Sequence, residues 1–532
     1  MKKKRVTPAP SVKFDQRKNH AGFWGWASEV FGVDVRSLAI FRIALAITVL
    51  LDLGFRLADC EAFYSDNGHL PRSMLHLYFD AVSNIEWRGF AWSVNTISGD
   101  LTWQYAMFLV GFVAAVALLA GWQTRTATIV VWIIVASMQV RNPLVITSGD
   151  MFLKLMLLWS IFLPLGRVWS IDARRRRPVS STPQIWFVSM ASAGFIVQVI
   201  LMYFFTGVAK LNITWFEGHA MDYVLRLDLF ITAFGRMLLD YPLVLKLISW
   251  ATLLIESVAI WLLLFPTRTP TIRGVLIITF WAFHLGIALC MSIGLFPLIC
   301  MIGWLPLVPT GFWQSISSWF GAKVAVSSGE PVATRRIGGL ALLVEGFCGL
   351  LIGLTLWWNL SNCEGTVFAR SLPRPLEYMG RMLAMEQHFQ MFGIPPNKSP
   401  WFIYDTRLMD GTKVDIFRPG GQLDFERPSA IGATFPSHLW RRLHQNLVHP
   451  KLAEFRSNLL DVAVRRWNQT HDEAQHVKSA TLTCIVESVG PDYNPINRHS
   501  ATWGKYSDDR KGPGSLFDDL EDRVLGDSSR PY

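Results

Sequence analysis

Long apolar blocks, separated by short polar loops, are the feature that most limits what this chain can fold into. A helix that crosses a bilayer needs about 20 mostly apolar residues, and about nine blocks approach or exceed that length. Charged residues make up only 17% of the 532 residues, against about 25% in soluble proteins. The sequence therefore predicts a polytopic membrane protein with apolar blocks at Leu38–Leu57, Leu101–Gly121, Ala127–Val140, Met151–Leu165, Gln184–Thr206, Leu243–Phe265, Ile272–Met291, Ile293–Val308 and Ile337–Trp358.

The basic residues fall between the apolar blocks, so the net charge of +10 indicates membrane topology rather than nucleic-acid binding. If residues 1–34 form a polar cytoplasmic segment, the loops predicted to lie outside the cytoplasm mix both signs of charge. An odd number of spans then places everything after Trp358 outside. The loops predicted to lie inside contain Arg125, Arg174–Arg177, Arg268, Arg273, Lys323, Arg335 and Arg336.

The predicted fold class is an all-α polytopic membrane domain of about eight to nine transmembrane helices, followed by a small α+β extracytoplasmic domain. Residues 35–360 form the membrane domain, which the lipid bilayer surrounds, and residues 361–497 form the small domain. Residues 498–532 are polar and rich in Asp, Gly and Ser, which predicts a disordered tail.

Three segments of the small domain have a pattern typical of regular structure. Trp401–Phe417, WFIYDTRLMDGTKVDIF, predicts two strands joined by a turn at Asp410-Gly411. Leu439–Asn468 has helical periodicity. Thr481–Ser488, TLTCIVES, is another strand candidate.

The six cysteines divide into two groups of three. Cys60, Cys363 and Cys484 lie in segments predicted to be outside, where oxidation is allowed. A disulfide among them is expected, although spacing leaves the pairing open. The other three lie in predicted spans, as core residues do. No His or Cys cluster has the spacing of a metal site, so no protein-bound metal is expected.

Ionisable side chains within apolar blocks are costly, and they mark either a functional site or a buried ion pair. Arg42 with Glu256 or Glu345 is a candidate structural pair that would tie helices together. His284 stands inside TFWAFHLGIALCM, where a core hydrogen bond and a functional role are both open. The remaining residues of this kind are Asp52, Lys154, Lys210 and Lys246.

One of these residues ends an apolar run, in the stretch Met202–Gly218, MYFFTGVAKLNITWFEG. Lys210 follows Gly207, a residue that lets helix backbones approach closely, and the segment after it is too polar to span. Such a break is tolerated where it is buried in protein or lines a cavity. An apolar cavity disfavours a charged amine, so Lys210 is a candidate general base. A plain interfacial lysine is the other interpretation.

Several stretches together match a family pattern. Asp34–Ile43 (DVRSLAIFRI) is the entry to the first span, the Lys210 stretch follows the fifth, and Phe283-His284 is followed by Ser292–Gly294 and Phe296. In this pattern the chain resembles the vitamin K-dependent γ-glutamyl carboxylases and the wider HTTM (horizontally transferred transmembrane) proteins. The resemblance runs from about Asp34 to Val308 and is weaker beyond.

The resemblance implies an enzyme that oxidises a reduced quinone, such as reduced vitamin K, with O2. The oxidised product would remove a proton from a glutamate-containing protein or peptide, to which CO2 then adds. Lys210 would deprotonate the hydroquinone, which is the reduced form, and His284 would hold the quinone or an intermediate by a hydrogen bond. The quinone pocket that the resemblance implies contains Tyr203, Gly207, Trp215, Glu217 and Tyr223.

The stretch Ile146–Asp150, ITSGD, departs from the family pattern. Carboxylases have an Asn and a His there, and Gly149 stands where the histidine is expected. Because that histidine is linked to the carboxylation half of the chemistry, its loss favours an alternative. In that alternative the chain is a non-enzymatic membrane protein that binds a lipid or a peptide in the same cavity, for maturation or transport.

Overall fold

The structure is a computed structural model that describes residues 22–82, 92–176, 185–226, 228–319, 338–363, 372–395, 398–418, 420–489 and 495–508. The described chain is mostly helical, with a small antiparallel sheet near its C-terminus. The predicted fold class is confirmed in two respects, the mostly helical chain and the small sheet-containing domain that follows the helices. Of the basic residues used for the topology prediction, Arg177, Lys323, Arg335 and Arg336 lie outside the described residues.

The first half of the chain is a succession of helices with one short two-stranded ribbon. The ribbon joins β1 (Val33–Asp34) to β2 (Trp186–Phe187) in an antiparallel pair. The helices up to the Lys210 stretch are α1 (Phe23–Phe31), α2 (Val35–Leu57), α3 (Cys60–Tyr64), α4 (Arg72–Val82), α5 (Leu101–Ala120), α6 (Thr124–Arg141), α7 (Ser148–Ser160), α8 (Ile171–Arg175) and α9 (Met190–Val208).

Short helices follow Lys210 before the chain returns to long ones. This arrangement matches the sequence, because the segment after Lys210 is too polar to form a span. The helices are α10 (Ile213–Phe216), α11 (Ala220–Leu225), α12 (Ala233–Leu238), α13 (Pro242–Ser257), α14 (Thr269–Cys290), α15 (Phe296–Gly303), α16 (Thr310–Trp319) and α17 (Gly339–Ser361).

Six helical segments of the described chain are long and apolar enough to cross a membrane. They are α2, α5, α9, α13 with its continuation to Leu264, α14 and α17. The segment Phe296–Leu307 and α16 make a pair bent by 86°, which brings the count to seven if the pair is one span. The predicted count of eight to nine is not confirmed.

The difference in count arises at the predicted blocks Ala127–Val140 and Met151–Leu165. The second block forms α7, whose 13 residues reach about 20 Å at 1.5 Å per residue, short of a bilayer core of about 30 Å. In α6 polar side chains such as Gln139 and Arg141 are buried in the bundle. Both helices are enclosed by protein and lead to the loop at Leu144 that the C-terminal domain contacts. They are inner helices that fall outside the count of six, and sequence hydropathy alone does not separate such helices from lipid-exposed spans.

The spans divide into a buried one and peripheral ones. In α9, 83% of the most apolar window is buried inside the protein, compared with 28% in α14 and 22% in α17. Gly194 of α9 has no Cβ, and an added one would lie 2.2 Å from the Trp159 ring, so α7 packs directly on α9. The peripheral spans expose large apolar side chains such as Ile278 and Leu343, as lipid contact requires.

The helix starts are set by local side-chain caps. The Asp34 carboxylate accepts from the backbone N–H of Arg36 at the start of α2. Thr147 with Asp150 and Ser189 with Ser192 form reciprocal capping boxes at α7 and α9. Each cap satisfies backbone N–H groups that a buried helix end would otherwise leave unpaired.

The C-terminal domain is a four-stranded antiparallel sheet with strand order β4-β3-β5-β6, packed against helices. The predicted hairpin is confirmed: Gly411 has a φ of +88°, and the Asp410 carboxylate accepts from the N–H of Thr412. The predicted strand Thr481–Ser488 lies within β5. The elements are α18 (Arg374–Met382), β3 (Lys398–Leu408), β4 (Lys413–Asp415), α19 (His438–Leu447), α20 (Ser457–Asn468), β5 (Val477–Val489) and β6 (Pro495–Ser507).

Three predicted boundaries change. The helical segment Leu439–Asn468 is two helices, because a 3₁₀ turn at Pro450–Phe455 separates α19 from α20. The predicted tail cannot begin at residue 498, since β6 continues to Ser507 by pairing with β5; residues 509–532 lie outside the described chain. The N-terminal segment also contains α1, while residues 1–21 are not described.

The C-terminal domain packs on one end of the helical bundle. The Arg466 guanidinium lies 2.6 Å from the Asp59 carboxylate, and the Asn446 amide donates to the carbonyl of Leu144 at 2.6 Å. At the other end, Arg273 donates to the carbonyls of Val30 and Gly32. The sheet domain and the N-terminal helix are therefore at opposite ends of the bundle.

Candidate functional site

Lys210 is buried at the C-terminal end of α9, where its ammonium group pairs with a carboxylate. Its Nζ lies 2.6 Å from Oε2 of Glu256 on α13 and 3.3 Å from the carbonyl oxygen of Thr206. Both side chains are at most 5% exposed. The interpretation of Lys210 as a plain interfacial lysine is therefore wrong.

Gly207 makes this pair possible. A Cβ on Gly207 would lie 2.4 Å from the hydroxyl of Ser257 and 2.8 Å from its backbone nitrogen. Backbone atoms cannot move away cheaply, so only glycine allows α9 and α13 to approach this closely. The close approach places Glu256, which precedes Ser257, beside Lys210.

His284 of α14 is the second ionisable group of the region. Its Nε2 lies 2.7 Å from the hydroxyl of Tyr203, and the indole N–H of Trp304 donates to that same hydroxyl at 3.2 Å. The Phe280 and Trp304 rings stack with centroids 4.4 Å apart. Nδ1 of His284 is buried and has no hydrogen-bond partner in the described part of the chain. A buried polar atom of this kind is a candidate contact for a bound molecule.

The two pairs meet at one narrow cavity inside the bundle. Tyr203, Glu256 and His284 supply its polar wall, and Lys210 stands behind Glu256 and Thr206. About 20 Å³ is open to a water-sized molecule, enough for about one water. The lining residues are Ser148, Met202, Tyr203, Thr206, Glu256, Phe283, His284, Ile287, Phe296, Phe389 and Met391.

The other predicted pocket residues lie away from this cavity. Trp215 is buried, with its indole N–H shared between the carbonyls of Phe392 and Gly393, and its ring lies 5.4 Å from Nζ of Lys210. Glu217 is exposed and Tyr223 is half-buried, and neither lines the cavity. Trp215 thus packs against the ammonium group, while Glu217 and Tyr223 lie outside the pocket assigned to them.

The predicted ion pair of Arg42 with Glu256 or Glu345 does not form. The guanidinium of Arg42 instead donates to the carbonyl of Trp169 at 2.7 Å and to two further carbonyls. Glu256 is held by Lys210, and the Glu345 carboxylate accepts from the N–H of Met190 at 2.6 Å. Backbone groups at loop and helix ends satisfy the two charges, which sequence spacing does not reveal.

Next to the cavity lies a buried network of charged side chains that the sequence analysis did not predict. Arg56 of α2 contacts the Asp52 carboxylate at 2.9 Å, the Asp150 carboxylate at 2.5 Å and the Tyr64 hydroxyl at 2.8 Å. Asp150 caps α7, so the network fixes the helix start that carries the cavity residue Ser148. The spacing of Asp52 and Arg56, four residues apart on one helix face, was the available signal.

Gly149 occupies a tight position beside the same cavity. A Cβ there would lie 3.2 Å from the Cα of Phe296, closer than ordinary packing allows. The histidine found at this place in the carboxylases could therefore not be accommodated without a shift of α15 relative to α7.

The disulfide predicted among Cys60, Cys363 and Cys484 does not form in the described chain. They lie on separate elements, at the start of α3, after α17 and in β5, whereas a disulfide needs Cα atoms within about 7 Å. Burial raises the pKa of both Cys60 and Cys484 to about 12, which leaves little reactive thiolate.

The chain matches a known protein family. The model of the HTTM domain matches residues 32–310, which is more than half of the 532 residues and includes Lys210, Glu256 and His284. No solved structure matches the chain. The chain is an integral membrane protein that belongs to the HTTM domain family.

Proposed function

We propose that this chain is a membrane enzyme of the vitamin K-dependent carboxylase type, which uses a buried base to oxidise a reduced quinone with O2. The observation that carries the proposal is the Lys210–Glu256 pair beside the Tyr203–His284 pair at one narrow, mostly apolar cavity. Ionisable groups at this depth are costly to bury, which favours a functional role.

The chemistry of the cavity fits a quinone. Its walls are aromatic and aliphatic, and the unpartnered Nδ1 of His284 supplies a polar contact. The open volume of about 20 Å³ is smaller than a quinone ring, so side chains such as Phe283 and Met391 have to move apart on binding. When bound, a reduced quinone supplies the electrons for O2 and, after oxidation, a strong base.

The chain contributes proton transfer, orientation and exclusion of water. Transfer of a proton from Lys210 to Glu256 replaces the ion pair by two neutral groups, and the dry surroundings lower the cost of that transfer. The neutral amine of Lys210 can then accept a proton from the bound molecule. Glu256 is the member of the pair that contacts the cavity, so this proton reaches Lys210 through its carboxyl group. Tyr203 fixes the orientation of the His284 ring, which hydrogen-bonds the bound molecule.

The test is quinone epoxidation by the purified full-length protein in detergent, with reduced vitamin K and O2. We expect wild-type protein to form the epoxide and Lys210→Gln to lose about 10²–10⁴-fold in rate. Lys154→Gln is a matched control, because Lys154 is also buried and lies 3.6 Å from a carboxylate, that of Glu386, but this partner, unlike Glu256, does not line the cavity. Its rate should remain near wild type.

Carboxylation is measured in a separate arm, as labelled CO2 incorporated into a glutamate peptide. Because Gly149 leaves no room for the histidine of the carboxylases, we expect incorporation to be much weaker than epoxidation. If wild-type protein forms no epoxide, the enzyme proposal fails. The alternative, a non-enzymatic protein that binds a lipid or peptide in this cavity, would then be preferred.

A further inference from the structure

A second, wider cavity lies at the end of the bundle opposite the C-terminal domain. It is formed at the start of α6 and by the loop from α7 to α8, and has a volume of about 630 Å³. The C-terminal domain contacts the chain just beyond the other end of α6, at Leu144 and Ile146. This cavity is therefore separate from the Lys210 site and lies where the charge pattern predicts the cytoplasmic side.

The cavity is strongly basic. Arginine supplies four of its lining side chains and aspartate one. The Asp172 carboxylate is already engaged, since it accepts from the backbone N–H groups of Gln123 and Thr124 and from the Thr124 hydroxyl at 2.6 to 2.9 Å. The arginines are Arg125, Arg167, Arg175 and Arg176.

The positive charges that line the cavity also lie close to one another. Burial and then the nearby charge of Arg176 lower the pKa of Arg167. An anion within the cavity would offset the repulsion between these positive charges, because it pairs with guanidinium groups in a partly enclosed space. The volume is in the range of about 300–1,000 Å³ that is typical of small-ligand sites.

The position of the cavity indicates the source of the anion. Trp122 and Trp169 flank it and are about half exposed, and tryptophans at span ends sit at the level of lipid headgroups. The loop that carries Trp169 is fixed by the buried guanidinium of Arg42, which donates to its carbonyl and to that of Leu165. The arginines therefore lie at the level of the lipid headgroups, next to a loop whose backbone is held in place by Arg42.

We propose that this cavity binds the phosphate group of an anionic phospholipid headgroup. Guanidinium groups bind phosphate in a bidentate manner, and basic pockets between membrane helices are suited to anionic headgroups. The inference is independent of any quinone chemistry at Lys210.

The test is native mass spectrometry of the full-length protein released from detergent with phosphatidylglycerol and phosphatidylcholine in competition. We expect wild-type protein to retain phosphatidylglycerol preferentially. The preference should fall about fivefold for each arginine removed in Arg175→Gln and in Arg175→Gln/Arg176→Gln, at about 1 kcal/mol per basic residue. Both arginines are exposed, so the variants should keep the fold, as circular dichroism would verify.

The matched control is Arg374→Gln/Arg407→Gln, which removes two exposed arginines far from the cavity and should leave the preference unchanged. Equal loss in the control and the cavity variants would overturn the site. Unchanged retention in the cavity double variant would do the same. If glycerol 3-phosphate binds the lipid-free protein while phosphatidylglycerol does not, the lipid source is wrong and the occupant is a soluble phosphate ester.

Discussion

At the scale of single residues, the Lys210–Glu256 pair makes a stability prediction that differs from its role in activity. Removing one partner leaves an uncompensated buried charge, which costs about 3–5 kcal/mol, whereas replacing both by apolar groups of similar size is near neutral. We therefore expect Lys210→Met to lower the free energy of unfolding strongly. The double variant Lys210→Met/Glu256→Leu should recover most of that loss while remaining inactive.

Thermal unfolding of the detergent-solubilised variants measures this, and comparison of both single variants with the double gives the coupling between the two side chains. If Lys210→Met is as stable as the double variant, the two groups are not an ion pair in the folded protein. The variant Lys210→Arg keeps the positive charge but cannot act as a base, because arginine does not lose its proton. It should therefore stay folded better than Lys210→Met but lose activity.

Gly149 is the second residue at which we expect a substitution to change stability. Alanine there would place a Cβ against the backbone of Phe296 at 3.2 Å, which should cost about 1–3 kcal/mol as overpacking. Gly286→Ala is the control, since no heavy atom lies within 4 Å of its added Cβ. We expect Gly149→Ala, and more strongly Gly149→His, to lower the unfolding temperature, and Gly286→Ala to keep or raise it. Equal shifts at the two glycines would contradict the packing argument.

The sequence indicates which ionisable residues are buried better than it indicates their partners. Lys210 and His284 were singled out because each interrupts an apolar run. The partner of Lys210 lies 46 residues further along the chain and reaches it only through the backbone contact of Gly207 with Ser257. No periodicity encodes such a contact, and the sequence alone therefore pairs Arg42 with Glu256 or Glu345 and leaves Lys210 without its partner.

At the scale of elements, the sequence predicted the β3–β4 hairpin from residues of its own turn. The number of spans was not predicted, because whether an apolar helix is buried depends on the helices that pack around it. The turn at Asp410-Gly411 is specified by its own residues. The helix α7 is about as apolar as the span α2 but much shorter, α6 is less apolar than any of the six spans, and both are enclosed by other helices. Whether an apolar helix meets lipid or protein is a tertiary property that hydropathy does not report.

The helix α19 and the strand β3 meet at a histidine that makes the C-terminal domain acid-sensitive. The ring nitrogens of His444 lie 2.8 Å from the Tyr404 hydroxyl and 2.7 Å from the Trp440 carbonyl. Burial lowers the pKa of His444 from its usual 6.5 to about 4. On unfolding the imidazole regains its usual pKa, so the unfolded state binds more protons between those two values, and stability falls as the pH falls through that window.

We expect acidification across this window to cost the wild-type protein up to about 3 kcal/mol more than it costs His444→Gln. The exposed His499 offers a control, since His499→Gln should retain the wild-type pH dependence. Denaturant unfolding followed by tryptophan fluorescence at several pH values measures the slopes. A His444→Gln slope equal to that of wild type would show that the buried imidazole is not the group that titrates.

At the scale of the whole molecule, the two ends of the bundle are occupied by different parts of the chain. Near the start of α14, Arg273 binds carbonyls of the N-terminal segment. Just beyond the end of α14, the carbonyl of Ser292 accepts from Arg441 of the C-terminal domain. Since α14 is long enough to cross a bilayer, the N-terminal segment and the C-terminal domain are expected on opposite sides of the membrane.

The charge pattern then fixes which side is which, because arginine-rich loops remain in the cytoplasm. We predict that the C-terminal domain lies outside, as it contacts Asp59, Leu144 and Ser292, all in loops predicted to be outside. Alkaline phosphatase, which is active only after export, should be active when fused after Asn362 and inactive when fused after Arg268. Green fluorescent protein should give the reverse pattern. Activity of both phosphatase fusions, or of neither, would mean that the two sites lie on the same side, so that the chain between them does not cross the bilayer three times, in α14, in the bent pair of Phe296–Leu307 with α16, and in α17.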